Sequence, residues 1–129
     1  MVVDDNEIIL KTISLKLHEA GYRPFVALDG LEALAVARRE RLDLILLDIN
    51  FPPDVYGDPW DGFHILKWLR QVDTVRHLPI IIISGSESEA DRVRAENFGV
   101  TAFFRKPLDH ADLLKFIREV LETSPAPAR

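Results

Sequence analysis

Apolar residues along this chain follow two rhythms. Short runs rich in Val, Ile, Leu and Phe occupy positions 1–3, 23–27, 43–47, 79–83 and 101–104. Between them lie longer stretches whose apolar residues return every three or four positions. The short runs predict strands and the longer stretches amphipathic helices. The third and fourth runs are almost continuously apolar, as expected of strands covered on both faces. Five rounds of strand followed by helix predict βαβ units around a mainly parallel sheet.

The helix ends are also readable. Asn6 is placed to cap a first helix with Ile9, Ile13, Leu17 and Ala20 on one stripe and Gly21 as its stop. Asp29-Gly30-Leu31-Glu32 is an aspartate form of the capping box, and predicts a second helix with Leu31, Leu34 and Ala35 as its apolar positions. A third helix is expected over 62–72, with Trp68 in the core or half-buried. A fourth is expected over 88–98, with Ala90, Val93 and Phe98 apolar, Glu87, Glu89 and Asp91 at its start and Gly99 as its cap. A fifth starts at Asp109 and carries Leu113, Phe116, Ile117, Val120 and Leu121. Residues 124–129, rich in Ala and Pro, read as a tail or linker stub behind one domain over 1–123.

Composition narrows the function classes. At 129 residues and 47% hydrophobic content, the chain has enough apolar surface for one core. It contains no cysteine, so disulfides, thiolate metal sites and cysteine nucleophiles are excluded. No apolar run approaches the about 20 residues needed to span a bilayer, and no leader pattern opens the chain, so a cytoplasmic protein with no membrane partner is expected. Sixteen basic against twenty-one acidic residues give a net charge of −5. Without a basic stripe, direct nucleic-acid binding is not expected.

In an open parallel sheet, ligands bind at the carboxyl ends of the strands. Following each expected strand to that end gives Asp4 and Asp5 after the first, Asp48 after the third, Ser84 after the fourth and Lys106 after the fifth. Each is unremarkable alone, since acidic pairs after strands usually serve as turns or helix caps. Their joint order carries the specificity. Carboxylates brought together repel one another unless a cation joins them, and an all-oxygen donor set suits a hard ion such as Mg²⁺. A hydroxyl and an ammonium beside that ion suit a phosphoryl group, and an aspartate can be the nucleophile that receives it. His18, His64, His77 and His110 are scattered without ligand spacing and are assigned no chemistry.

The segments Val2-Val3-Asp4-Asp5-Asn6, Leu46-Leu47-Asp48, Asp61-Gly62, Ile82-Ile83-Ser84-Gly85 and Lys106-Pro107 together resemble the signature of bacterial two-component response-regulator receiver domains. The resemblance covers essentially the whole chain. It implies a flavodoxin-like α/β/α sandwich with a five-stranded parallel sheet in order 2-1-3-4-5. It also implies that Asp48 accepts phosphate from a histidine kinase or phosphotransfer protein. Asp5 would bind Mg²⁺ directly, Asp4 through water or as a second carboxylate, and Asn50 through its backbone carbonyl. Ser84 and Lys106 would hold phosphoryl oxygens, and Gly85 would leave room for the incoming group. Phe103, three before the lysine, would act with Ser84 as the switch that changes a face for a downstream protein effector. The Lys106–Pro107 bond is expected cis. Such a domain receives phosphate and loses it again without being a turnover enzyme.

Two departures and three rivals complete the reading. The connection after Asp48 is long, and its segment 52–60 reads as an insertion beside the site in which Tyr56 and Trp60 offer aromatic contacts and Asp54 and Asp58 carboxylates. The first strand is short, which suggests a trimmed beginning and lower stability. A Mg²⁺-dependent aspartate-nucleophile phosphatase would need a second aspartate two residues after the nucleophile, where this chain has Asn50. A flavodoxin-like electron carrier would need a phosphate-cradling loop where this chain has Asp4-Asp5. A receiver-like interaction module that is never phosphorylated would not need the complete set of site residues.

Overall fold

The computed structural model describes residues 1–49, 62–85 and 89–123. Among these, strands and helices alternate as β1 (Val2–Val3), α1 (Glu7–Glu19), β2 (Val26–Ala27), α2 (Gly30–Arg39), β3 (Ile45–Asp48), α3 (Gly62–Leu69), β4 (Ile80–Ser84), α4 (Glu89–Asn97), β5 (Ala102–Arg105) and α5 (His110–Thr123). All strand pairs are parallel and the sheet order is β2-β1-β3-β4-β5, the flavodoxin-like arrangement. Segments 52–60 and 124–129 lie outside the described residues.

Alternation along each strand divides the core in two. Val3, Ala27, Ile45, Leu47, Ile80 and Ile82 point toward α2, α3 and the one buried residue of α4, Ala95. Val2, Leu44, Leu46, Ile81 and Ile83 point the other way, onto Leu10, Ile13 and Leu17 of α1 and Leu113 and Ile117 of α5. The continuous apolar runs of β3 and β4 are buried on both faces, as expected. Each isoleucine of β4 is essentially fully buried, which stabilises the fold by about 1.5–3 kcal/mol per side chain relative to exposure. The short β1 keeps its ladder on both sides. The Met1 amino group donates to the Leu44 carbonyl (2.9 Å), Leu46 N–H to the Met1 carbonyl (2.8 Å) and Val2 N–H to the Phe25 carbonyl (2.8 Å).

The expected caps form. Asn6 accepts from the backbone N–H groups of Ile8 and Ile9, and Asp29 from that of Glu32 at 2.8 Å. Gly21 and Gly99 adopt φ of +93° and +70°, the left-handed conformation that ends a helix cheaply only at glycine.

Several expected helix faces are corrected. On α1 the buried stripe is Leu10, Ile13 and Leu17, while Ala20 is exposed at the C-cap. On α2 the inward residues are Gly30, Ala33, Val36 and Ala37, and Leu31 is 73% exposed. The cap at Asp29 fixes the phase of that helix, and small residues let it sit close to the sheet; side-chain size was a poor guide to which face turns in. Helix α3 stops at Leu69, three residues early, because Gln71 and Val72 bond to carbonyls three positions back, not four. On α4, Ala90 and Val93 are exposed.

Gly62 begins α3 against the backbone that follows Asp48. A Cβ there would lie 2.2 Å from Ile49 Cα and 2.7 Å from the Asp48 carbonyl oxygen. Gly62→Ala is therefore expected to lower stability by about 2–4 kcal/mol, since neither neighbour is a movable side-chain end. Gly99→Ala meets open space and should cost only the about 1 kcal/mol of its positive φ. Urea midpoints compare the two; equal losses would mean that the backbone at Ile49 yields freely.

Candidate functional site

The parallel sheet delivers its polar residues to one edge because every strand ends there. Asp4 follows β1, Asp48 is the last residue of β3, Ser84 is the last of β4, and Lys106 follows β5. Asp4 and Asp48 are only 2% and 3% exposed and Ser84 is fully buried, whereas Asp5 faces solvent. Carboxylate oxygens of Asp4, Asp5 and Asp48 lie within 4.8 Å of one another.

One ammonium serves this group. Lys106 Nζ lies 3.2 Å from Asp48 Oδ2 and 3.5 Å from Asp4 Oδ2. Its backbone helps to aim it: Lys106 N–H donates to the Ser84 carbonyl at 2.8 Å. The Lys106–Pro107 peptide is cis, as expected. The other oxygen of Asp4 accepts from Asn6 N–H at 2.9 Å, so Asn6 caps α1 with its side chain and orients Asp4 with its backbone. Only the first of these roles follows from the sequence. Among the described residues three carboxylates gather here with one ammonium, and the carboxylate donors are all oxygen, a set that fits a hard divalent cation.

The other expected residues divide by position. Gly85 follows Ser84 at the exposed edge. Phe103 pairs in register with Ile82 and packs, half-buried, on the α2–α4 face. Ser84, two residues beyond Ile82, belongs to the same face by alternation. Asn50, Asp54, Tyr56, Asp58, Trp60, Asp61 and Glu87 lie outside the described residues. Of the histidines, His18, His64 and His77 are exposed and His110 is half-exposed, and none belongs to the acidic group.

Burial is the largest influence on Asp4 and pushes its carboxyl up from 3.8 to about 6; Asp48 adds to the rise, while Asn6 N–H and Lys106 oppose it. The folded protein thus holds that proton more tightly than the unfolded chain. The stability this confers is complete below 3.8 and is lost as pH rises through about 6. Asp4→Asn should accordingly stabilise the metal-free protein at pH 7 by on the order of 1–3 kcal/mol, with the difference vanishing near pH 4. Urea unfolding in chelator at the two pH values checks this; an equal difference at both would remove burial of the charge as the cause.

Comparison with known proteins agrees with this architecture. Residues 1–118 match the family model of the response regulator receiver domain. The chain is 33% identical over 121 residues to the polar-differentiation response regulator DivK of Brucella anthropi, covering 94% of each protein. It is equally identical over 120 residues to response regulator PleD of Caulobacter vibrioides, of which it covers 25%. Among solved structures, a CheY-like receiver domain protein from Methanospirillum hungatei superposes with a TM-score of 0.82 at 29% identity, with 94% of this chain and 90% of that one covered. The receiver domain of sensor histidine kinase PA1611 from Pseudomonas aeruginosa, solved with magnesium coordinated in its active site cleft, gives a TM-score of 0.80 at 27% identity with 95% of each chain covered. Sheet order, the polar edge and a family match over nearly the full length together show that this chain belongs to the response-regulator receiver domains of two-component signalling.

Proposed function

We propose that Asp48 is the phosphoacceptor, taking a phosphoryl group from the phosphohistidine of a histidine kinase or phosphotransfer protein. The observation that carries this is the Lys106 ammonium held 3.2 Å from a buried Asp48 carboxylate inside a cluster of three acidic groups. An Asp48 carboxylate oxygen attacks phosphorus in line with the departing imidazole; the new O–P bond forms as the N–P bond breaks, and its electron pair leaves on the imidazole nitrogen. The Ser84 hydroxyl donates to one equatorial phosphoryl oxygen and the Lys106 ammonium pairs with another. Gly85 leaves space for the group. Asp4, Asp5, Asp48 and the Asn50 carbonyl are the residues to hold Mg²⁺, which would neutralise charge shared between carboxylate and phosphoryl oxygens.

The readout we assign is a change of packing. Ser84 and Phe103 share one face of adjacent strands, so movement of the hydroxyl toward a phosphoryl group opens space into which the Phe103 ring turns. The face made by α4, β5 and α5 then changes shape for a downstream protein effector. Residues 1–123 form this switch and 124–129 a tail. Among the described residues no helix is long and apolar enough to cross a membrane, in keeping with a cytoplasmic site of action. The modified domain returns to its starting state by hydrolysis of its own acyl phosphate, without turnover of an external substrate.

Incubation with acetyl phosphate and Mg²⁺ followed by intact mass measurement tests the assignment. One phosphoryl adduct is expected, absent in Asp48→Asn and after chelation, and forming about 10²-fold more slowly in Lys106→Ala, the usual scale for loss of one charge-stabilising donor. An adduct that persists in Asp48→Asn would move the acceptor elsewhere, and multiple turnover of a phosphomonoester would make the chain a phosphatase.

A further inference from the structure

Helix α2 carries apolar residues on two faces, and the core uses one of them. Gly30, Ala33, Val36 and Ala37 are buried against the sheet. The apolar positions that sequence spacing marks on this helix lie elsewhere: Leu34 is half-buried, Ala35 is exposed and Leu31 is 73% exposed. At about 100° per residue, Ala35 lies opposite the mean direction of the four buried residues. Leu31 and Arg38 flank it on one side, Glu32 and Arg39 on the other, and all four are exposed.

Charge along this outward face runs from one sign to the other. Glu32 lies in the first turn and Arg38 and Arg39 in the last, the order that complements the helix dipole. The phase of the helix is pinned at its start, where Glu32 N–H donates to Asp29 at 2.8 Å and Leu28 N–H to Glu32 Oε2 at 2.7 Å. Arg39 Nε lies 3.3 Å from Glu40 Oε1, which leaves its methylene stem for apolar contact. Half a turn about an axis through Ala35, normal to the helix, carries the first turn of one copy onto the last turn of another. Glu32 then faces Arg38 of the second copy, and Leu31 faces the stem of its Arg39. Ala35 meets Ala35 at the axis, where so small a side chain lets the helices approach closely.

We propose that the outward face of α2 is a docking surface for a second copy of this chain, paired antiparallel about Ala35. One surface satisfies itself: symmetry makes each Glu32–Arg38 pair and each Leu31–Arg39 contact twice. A parallel arrangement would instead set arginine against arginine. Helix α2 starts at the carboxyl edge, directly after β2, so antiparallel pairing points the two carboxyl edges in opposite directions. The α4, β5 and α5 face lies across the sheet from β2, so it too stays open in each copy. The pair therefore presents two independent switches, and a bivalent partner can engage both. A helix of ten residues covers less than the about 1,200–2,000 Å² of a stable interface, so the dimer is weak and depends on concentration. The pairing does not depend on phosphate acceptance by Asp48.

Sedimentation equilibrium of the full, unmodified chain from micromolar to millimolar concentration reads this directly. Monomer should pass to dimer with no larger species, because a two-fold contact closes on itself. Ala35→Glu, at an exposed position opposite the core, should leave monomer alone. Arg38→Glu should weaken the dimer by about tenfold or more, since like charges then oppose each other at both symmetric contacts, and Glu32→Lys should do the same. An equimolar mixture of those two proteins should regain the parent association, because opposite charges face each other at both contacts of the mixed pair. If Glu32→Lys, which loses a capping group, fails to fold, Ala35→Glu still decides together with parent amide chemical shifts, which should move on dilution chiefly across 31–39. A chain that stays monomeric at millimolar concentration would overturn the pairing and give this face to a different protein. A dimer that survives Ala35→Glu, or a mixture no better associated than its two components, would overturn it by placing the interface elsewhere.

Discussion

The ion pair of Lys106 with two buried carboxylates governs the carboxyl edge of this molecule. A parallel sheet ends all its strands on one side, so the acidic residues after β1 and β3 meet whether or not their charges favour it. Among the described residues one ammonium pairs with two of the three clustered carboxylates. Burial is the larger cost: it is chiefly what makes Asp4 hold its proton to about pH 6, with the neighbouring Asp48 charge adding to the rise. Added positive charge at this edge would offset the repulsion between the carboxylates.

The elements around that edge are packed unequally. The β3 and β4 strands are buried on both faces and close-packed, so they transmit displacement without absorbing it. Gly62 brings α3 into direct backbone contact with the segment after Asp48. Helix α4, by contrast, buries only Ala95.

Much of this could be read along the chain. The five strands, their order of appearance and the approximate span of each helix follow from hydrophobic period, and the caps at Asn6, Asp29, Gly21 and Gly99 follow from side-chain chemistry. The residues of the polar edge are readable because each ends a strand or lies within two residues of its end, where sequence position and spatial position nearly coincide. Faces of helices were read less well. Leu31 was expected inside and is exposed, while Gly30, Ala33 and Ala37 pack inward, because closeness of approach decided the outcome more than side-chain size.

The sequence by itself determined the alternation of elements, the chemical kinds of group at the carboxyl edge and the absence of cysteine chemistry, since these depend on local period, capping and composition. Only the tertiary structure decided that Asp4 is buried while its neighbour Asp5 is exposed, that Asn6 holds Asp4 through its backbone, and that Arg70 joins the end of α3 to the carbonyls of Phe98 and Gly99. The reason is range. A period of two or of 3.6 residues records which way a side chain leaves its own element, but burial and multi-acceptor hydrogen bonds are set by segments distant in sequence, and no local pattern at Arg70 announces where its guanidinium ends.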